Sequence, residues 1–156
     1  NTHGGSLRIY IKKGRNITIQ NSVNKLIKEE EKFGIKDFKT YQKFSEKVYE
    51  IKKNVIKNIS QLKKNNKQII GFGAPAKATT SLNFFGISRE IDYIVEDNKL
   101  KHKKFVPGVN IPIYSKFKIK EKNPLVIVLA WNFYNEIKLN NKKISNNFIN
   151  IKDLEK

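Results

Sequence analysis

The sequence predicts an α/β fold: a Rossmann-like open, mostly parallel sheet flanked by helices, preceded by a strand hairpin and a long helix. From residue 67 onward, short apolar runs alternate with segments of helical pattern. Residues 125–130 form an unbroken apolar run, which is typical of a strand buried on both faces of a parallel sheet. Between residues 38 and 62 the apolar residues recur with the helical period.

The segment before residue 67 predicts the hairpin and two helices. Apolar and polar residues alternate over 7–12, and a turn at 14–16 leads to a second short run at 17–19. Ser22 is expected to cap a first helix that ends at Gly34. Asp37 opens a longer helix of about seven turns, whose single apolar stripe contains Phe38, Tyr41, Phe44, Val48, Ile51, Val55, Ile59 and Leu62. A stripe this long predicts that the helix lies on a large apolar surface.

The segment after residue 67 predicts the sheet. Apolar runs at 68–72, 91–95, 111–114 and 125–130 indicate four strands, and 148–151 a last short one. Helices are expected over 76–85 and 135–143, between those strands. This alternation predicts right-handed crossovers and therefore parallel strands.

The composition of the 156 residues excludes several classes of protein. The chain contains no cysteine, which rules out a disulfide framework, a thiolate metal site and a thiol nucleophile within it. We therefore expect no metal site in this chain. No apolar run approaches the ~18 residues of a membrane span, and no export signal is visible. We expect a cytoplasmic protein that does not contact membranes.

The formal net charge of +18 raises the question of a nucleic-acid partner. Lysine supplies 29 of the cations and arginine only 3, whereas specific readers of nucleic acid rely on the bidentate contacts of arginine. The cations are also spread over both halves of the chain. We therefore expect no nucleic-acid partner. A basic module for RNA or anionic surfaces stays as a further hypothesis, which a salt titration separates from the others.

Residues 71–76 fit the pattern G-x-G-x-x-A between an apolar strand and a helix. Gly71 is expected to make the tight turn and Gly73 to let the backbone approach a phosphate, which the helix N-terminus and Lys77 would attract. Glu96 ends the second strand, where an acid commonly accepts hydrogen bonds from ribose hydroxyls. The pattern fits a nucleotide-diphosphate pocket and equally an NAD(P)-binding Rossmann domain of an oxidoreductase. Glycines that serve only the compact first turn of an α/β domain are a third interpretation.

Several further stretches occur in a characteristic order: 2–8 (THGGSLR), 71–77 (GFGAPAK), 82–87 (LNFFGI), 92–96 (DYIVE), 107–108 (PG) with 111–113 (IPI), and 130–132 (AWN) with 136–137 (EI). Together they make the chain similar to the C-terminal domain of the S-adenosylmethionine-dependent sugar C-methyltransferases. The resemblance spans nearly the whole chain.

The resemblance implies an enzyme of three parts: a cysteine-rich zinc-binding region, a central methyl-donor domain, and a C-terminal Rossmann-like domain that helps hold a nucleotide-linked sugar. S-adenosylmethionine would then be bound by the preceding domain, and zinc only by the full-length protein. Residues 1–20 would be trailing strands of the methyl-donor domain, 21–66 bridging helices, and 67–156 the nucleotide-sugar-binding domain. The fragment alone would be inactive, and its oligomeric state is not indicated.

Members of this family transfer a methyl group to a carbon beside a ketone, typically in a dTDP-4-keto-deoxysugar. The resemblance places the catalytic base at His3. It implies that the nucleotide-linked sugar is bound by Gly71, Gly73, Ala74 and Lys77 at the phosphates, by Glu96, Asn98 and Lys101 at the edge of the second strand, and by Asn132 after the fourth. The sequence departs from the family pattern at Glu96, where Asp is usual, and at Lys99 and Lys103, where Pro and Gly are usual.

Overall fold

The computed structural model describes residues 5–14, 17–66 and 68–156. The contacts of the chain divide it into two compact units, Asn1–Val48 and Tyr49–Lys156. The division into three segments expected from the sequence stays a prediction.

The two helices predicted before residue 67 are present. Helix α1 spans Asn21–Phe33 and ends at Gly34, whose φ of 86° lies in the left-handed region that favours glycine. It begins before Ser22, so the predicted capping role of that residue is wrong. Helix α2 spans Phe38–Asn65. The Asp37 carboxylate accepts the Lys39 N–H at 2.9 Å, which satisfies one of the unpaired donors of its first turn.

The predicted strand hairpin does not form over the described residues 5–14 and 17–20, none of which is in a strand. Residues 15 and 16 of the expected turn lie outside the described residues. The side chains of Leu7, Ile9 and Ile11 are 66, 70 and 92 % exposed. A strand needs a neighbour for its backbone groups and an apolar face to bury, and the described part of the chain supplies neither for this segment.

The second unit contains a parallel five-stranded sheet with the order β3-β2-β1-β4-β5. Its strands are β1 (Ile69–Phe72), β2 (Tyr93–Val95), β3 (Ile113–Tyr114), β4 (Leu125–Val128) and β5 (Phe148–Asn150). Helix α3 (Ala76–Phe85) follows β1, and helix α4 (Tyr134–Asn140) follows β4. The α/β class, the parallel sheet and the five predicted strands are confirmed.

Successive strand residues point to opposite sides of the sheet. Each of the two faces is covered by an apolar cluster. On one face Val55 and Ile59 of α2 pack with Leu82 of α3 and with the final 3-10 turn, Ile151–Glu155. On the other face Ile137 of α4 packs against a second apolar cluster. Strands β1 and β4 are buried along their whole length. Among the residues that the structure describes, no helix combines the length and apolar composition needed to cross a membrane.

The strand order determines where a crevice can form at the edge of the sheet. Strand β2 pairs with one side of β1 and β4 with the other, so the direction of winding reverses between β1 and β4. In open α/β sheets a crevice opens at this switch point, outside the carboxyl ends of the strands.

Candidate functional site

A cavity of about 350 Å³ lies at the switch point. It is lined by the ends of β1 and β4, the glycine loop, the residues after β2 and the first part of α4: Phe72, Gly73, Pro75, Glu96, Asp97, Lys101, Ala130, Phe133, Glu136 and Ile137. A second cavity of about 460 Å³ lies between α2, β5 and the final 3-10 turn, and Asp153 is the charged residue in its lining. Only the first contains residues of the glycine loop, so it is the candidate ligand site.

The two glycines of the loop have different structural roles. Gly71 lies inside β1, where a Cβ atom would come within 2.8 Å of the Ile94 side chain and 3.0 Å of Leu129. Gly73 has a φ of 85°, and its N–H donates to the Val95 carbonyl at 2.8 Å. A Cβ atom there would lie 2.8 Å from the Cβ of Ala130. The tight turn expected at Gly71 is therefore made by Gly73, and Gly71 allows close packing across the sheet.

Four of the predicted site residues meet where the glycine loop approaches the end of β2. The Glu96 carboxylate accepts the Ala74 N–H at 2.8 Å and the Asn98 N–H at 3.0 Å. The Lys101 ammonium donates to the Ala74 carbonyl at 2.8 Å and lies 3.5 Å from the same carboxylate. Glu96 thus joins the loop after β1 to the turn after β2.

The environment of Glu96 stabilises its charged form. Burial alone raises the pKa of the carboxyl group, because a carboxylate loses hydration there. The N–H groups of Asn98 and Ala74 and the charge of Lys101 act in the opposite direction and prevail, so the pKa lies below its ordinary value of 4.5. The crevice therefore holds a fixed acceptor for hydrogen-bond donors at neutral pH.

The remaining predicted residues lie at the same edge of the sheet or outside the described residues. Lys77 is in the first turn of α3, with its Nζ 4.7 Å from the centroid of the Trp131 ring. Asn132 is exposed in the 3-10 turn Trp131–Phe133, which follows β4. His3 lies outside the described residues. Gly71 is buried within β1. The structure thus gathers residues after β1, β2 and β4, while their binding roles stay predictions.

Sequence reasoning missed two features of this edge. Lys152, in the turn after β5, places its Nζ 5.7 Å from the centroid of the Trp131 ring. Asp97 and Glu136 line the crevice beside Glu96. The signal for Lys152 was present, since residues that follow the strands of a parallel sheet meet at one edge. The described residues include no group of three or more His, Cys, Asp or Glu that could hold a metal ion.

A parallel sheet with a glycine turn after β1, an acid after β2 and a crevice at its switch point is the arrangement of a Rossmann-like domain. Comparison with known families makes the assignment specific: the chain belongs to the C-methyltransferase C-terminal domain family, whose model matches residues 1–150. This confirms the resemblance found in the sequence.

The chain is also similar to the C-methyltransferase NovU of Streptomyces niveus. The two are 27% identical over 148 residues, which cover 93% of this chain and 35% of the relative. The chain therefore spans about a third of the length of this relative.

Proposed function

We propose that this chain is the substrate-binding domain of an S-adenosylmethionine-dependent C-methyltransferase that acts on a nucleotide-linked keto-deoxysugar, with dTDP as the nucleotide. Family membership and the name of the relative support methyl transfer to carbon. The observation that carries the binding role is the crevice at the switch point, where Glu96 and Lys101 stand against the glycine loop.

The proposed substrate and crevice have complementary groups. An ionised carboxylate offers about four acceptor sites, and the N–H groups of Ala74 and Asn98 and the Lys101 ammonium use three of those on Glu96. The remaining site can accept a sugar or ribose hydroxyl. In this proposal the nucleotide-linked sugar is bound by residues named from the sequence: Gly73, Ala74, Lys77, Glu96, Asn98, Lys101 and Asn132. Gly71, which is buried within β1, has a packing role instead.

The proposed reaction joins a methyl group to the carbon beside a ketone. A base removes the acidic α-proton, the enolate carbon bonds to the methyl group, and the methyl–sulfur bond of the donor breaks. His3 is the proposed base. S-adenosylmethionine is assigned to a methyl-donor domain that precedes this chain, and no residue of the chain is assigned to it. Zinc is likewise assigned outside the chain, which contains no cysteine to bind it.

Calorimetric titration of the 156-residue chain with dTDP and with NAD tests the binding role. We expect dTDP to bind in preference to NAD, and Lys77→Ala to weaken it about tenfold because a charged phosphate contact is lost. Lys53→Ala, which removes an equal charge from an exposed position on α2, should leave the affinity unchanged.

Two results would contradict the proposal. Preference for NAD would favour an oxidoreductase domain. Failure of dTDP to bind either this chain or the full-length protein would remove the substrate-binding role.

A further inference from the structure

Three side chains that follow β1, β4 and β5 meet at the edge of the sheet where these strands end. The ammonium groups of Lys77 and Lys152 lie 4.7 and 5.7 Å from the centroid of the Trp131 ring. We call these three residues the Lys–Trp–Lys cluster. It is continuous with the crevice along the chain, because Pro75 and Ala130, which line the crevice, come just before Lys77 and Trp131.

The crevice itself is poorly suited to a diphosphate. Its lining contains the carboxylates of Glu96, Asp97 and Glu136 and the ammonium group of Lys101. Outside the lining, the Lys116 ammonium lies 3.0 Å from the Asp97 carboxylate, which leaves the carboxylates in excess by one. The Ala74 N–H, which a glycine loop would offer to a phosphate, already donates to Glu96. A diphosphate at that donor would meet like charge at close range. Hydroxyl groups, which donate to carboxylates, fit this lining.

The Lys–Trp–Lys cluster has the opposite character. The face of an indole attracts a cation, and here two cations approach one ring. Both ammonium groups carry a positive charge near the same ring, so they repel each other, and an anion of more than one negative charge that contacts both replaces that repulsion with attraction. The lysines are carried by a helix and by a turn that both pack on the same apolar cluster, so the pair is anchored to the core.

We propose that Lys77 and Lys152 bind the diphosphate of the substrate beside Trp131, and that the acidic crevice takes the hydroxyl groups of an adjoining sugar ring. The inference deepens the proposed function and rests on it. It assigns a binding role to Lys152 and moves the diphosphate from the N–H groups of the glycine loop to the flank of the crevice.

Trp131 is the single tryptophan of the chain, so intrinsic fluorescence reports on the cluster directly. The 156-residue chain is titrated with inorganic pyrophosphate, with dTDP and with thymidine. We expect a saturable fluorescence change with pyrophosphate and dTDP only. Lys152→Ala should weaken the binding of both about tenfold, and Lys152→Arg should restore most of it.

Lys118→Ala is the matched control. The Lys118 ammonium is also exposed over an aromatic ring, 5.2 Å from the centroid of Tyr114, but it follows β3 at the opposite edge of the sheet. The control removes the same charge and the same kind of contact, and it should leave the affinity for pyrophosphate and dTDP unchanged.

The outcomes separate this inference from the proposed function. Unchanged dTDP affinity in Lys152→Ala would overturn the inference and leave the substrate-binding role standing. Pyrophosphate binding that is lost in Lys152→Ala, with dTDP no tighter than pyrophosphate, would support the diphosphate site and contradict nucleotide recognition. No fluorescence change with pyrophosphate would overturn the inference.

Discussion

At the scale of single residues, Glu96 does more than line the crevice. Its carboxylate accepts the Ala74 N–H and the Asn98 N–H while lying near Lys101, so one half-buried acid joins two loops. A hydrogen bond to a charged group contributes about 1.5–3 kcal/mol. The geometry of the glycine loop therefore depends on the ionised state of this residue.

Glu96→Gln is expected to lower the free energy of unfolding at pH 7 by about 1–2 kcal/mol, because neutral hydrogen bonds replace charge-assisted ones. The pKa of Glu96 is depressed in the folded state. Its contribution is therefore complete above the ordinary value of 4.5 and is lost as the pH falls through the lower folded value. The difference between wild type and variant should shrink below about pH 4.5. Urea denaturation from pH 7 to pH 3 measures it.

Glu46→Gln on the exposed surface of α2 is the control for the loss of one carboxylate. It should follow the wild-type stability curve throughout. A constant difference between wild type and Glu96→Gln over the whole pH range would show that the charge of Glu96 does not stabilise the loop.

At the scale of elements, the stripe of α2 has two different environments. In the second unit Val55 and Ile59 are fully buried, whereas Phe38 and Phe44 in the first unit are 72 and 67 % exposed. The periodicity of the sequence predicted the stripe but not this difference. Periodicity reports which residues share a face of a helix, and burial depends on what other segments lie against that face.

Ile59→Ala is expected to cost about 2–5 kcal/mol, because it removes apolar contacts and leaves a cavity in the core. Phe44→Ala on the same stripe should change the stability by less than about 0.5 kcal/mol. Urea denaturation of the 156-residue chain gives both values. An equal loss in the free energy of unfolding for the two variants would contradict the difference in burial between Ile59 and Phe44.

The difference between local pattern and contact with distant segments also explains which strands could be predicted. The runs that form the five strands of the sheet are short and apolar, so local pattern located them. The alternating segment at 7–12 has an equally clear pattern, but its described residues pair with no strand. The order of strands depends on pairing between distant segments, so the switch point beside β1 became visible only in the fold.

The candidate site was likewise predicted from the sequence only in part. The family resemblance predicted that Ala74, Glu96 and Lys101 belong to one binding site, and the structure brings these three residues together. The glycine pattern did not predict that the Glu96 carboxylate occupies the Ala74 N–H. Lys152 is 75 residues from Lys77 in the sequence, and only the strand order brings both to Trp131.

At the scale of the whole molecule, the net charge of +18 is the property most easily mistaken for a function. Lysine supplies 29 of the cations and arginine 3. A net positive charge of this size attracts any polyanion through counterion release, without selecting a particular one. Two lysines held at one tryptophan, by contrast, form a local arrangement that can select a small anion.

Salt separates these two kinds of binding. A short RNA that meets the chain only through many phosphate contacts should lose about 10³-fold or more in affinity between about 50 and 200 mM salt. The affinity for dTDP should fall less than about tenfold over the same range, because two lysines account for its charge contacts and screening weakens close pairs least. Fluorescence titration of Trp131 with each ligand at both salt concentrations measures the slopes. A dTDP slope as steep as that of RNA would mean that dTDP binds to the general positive surface, and a shallow, tight RNA interaction would instead favour a nucleic-acid-binding module.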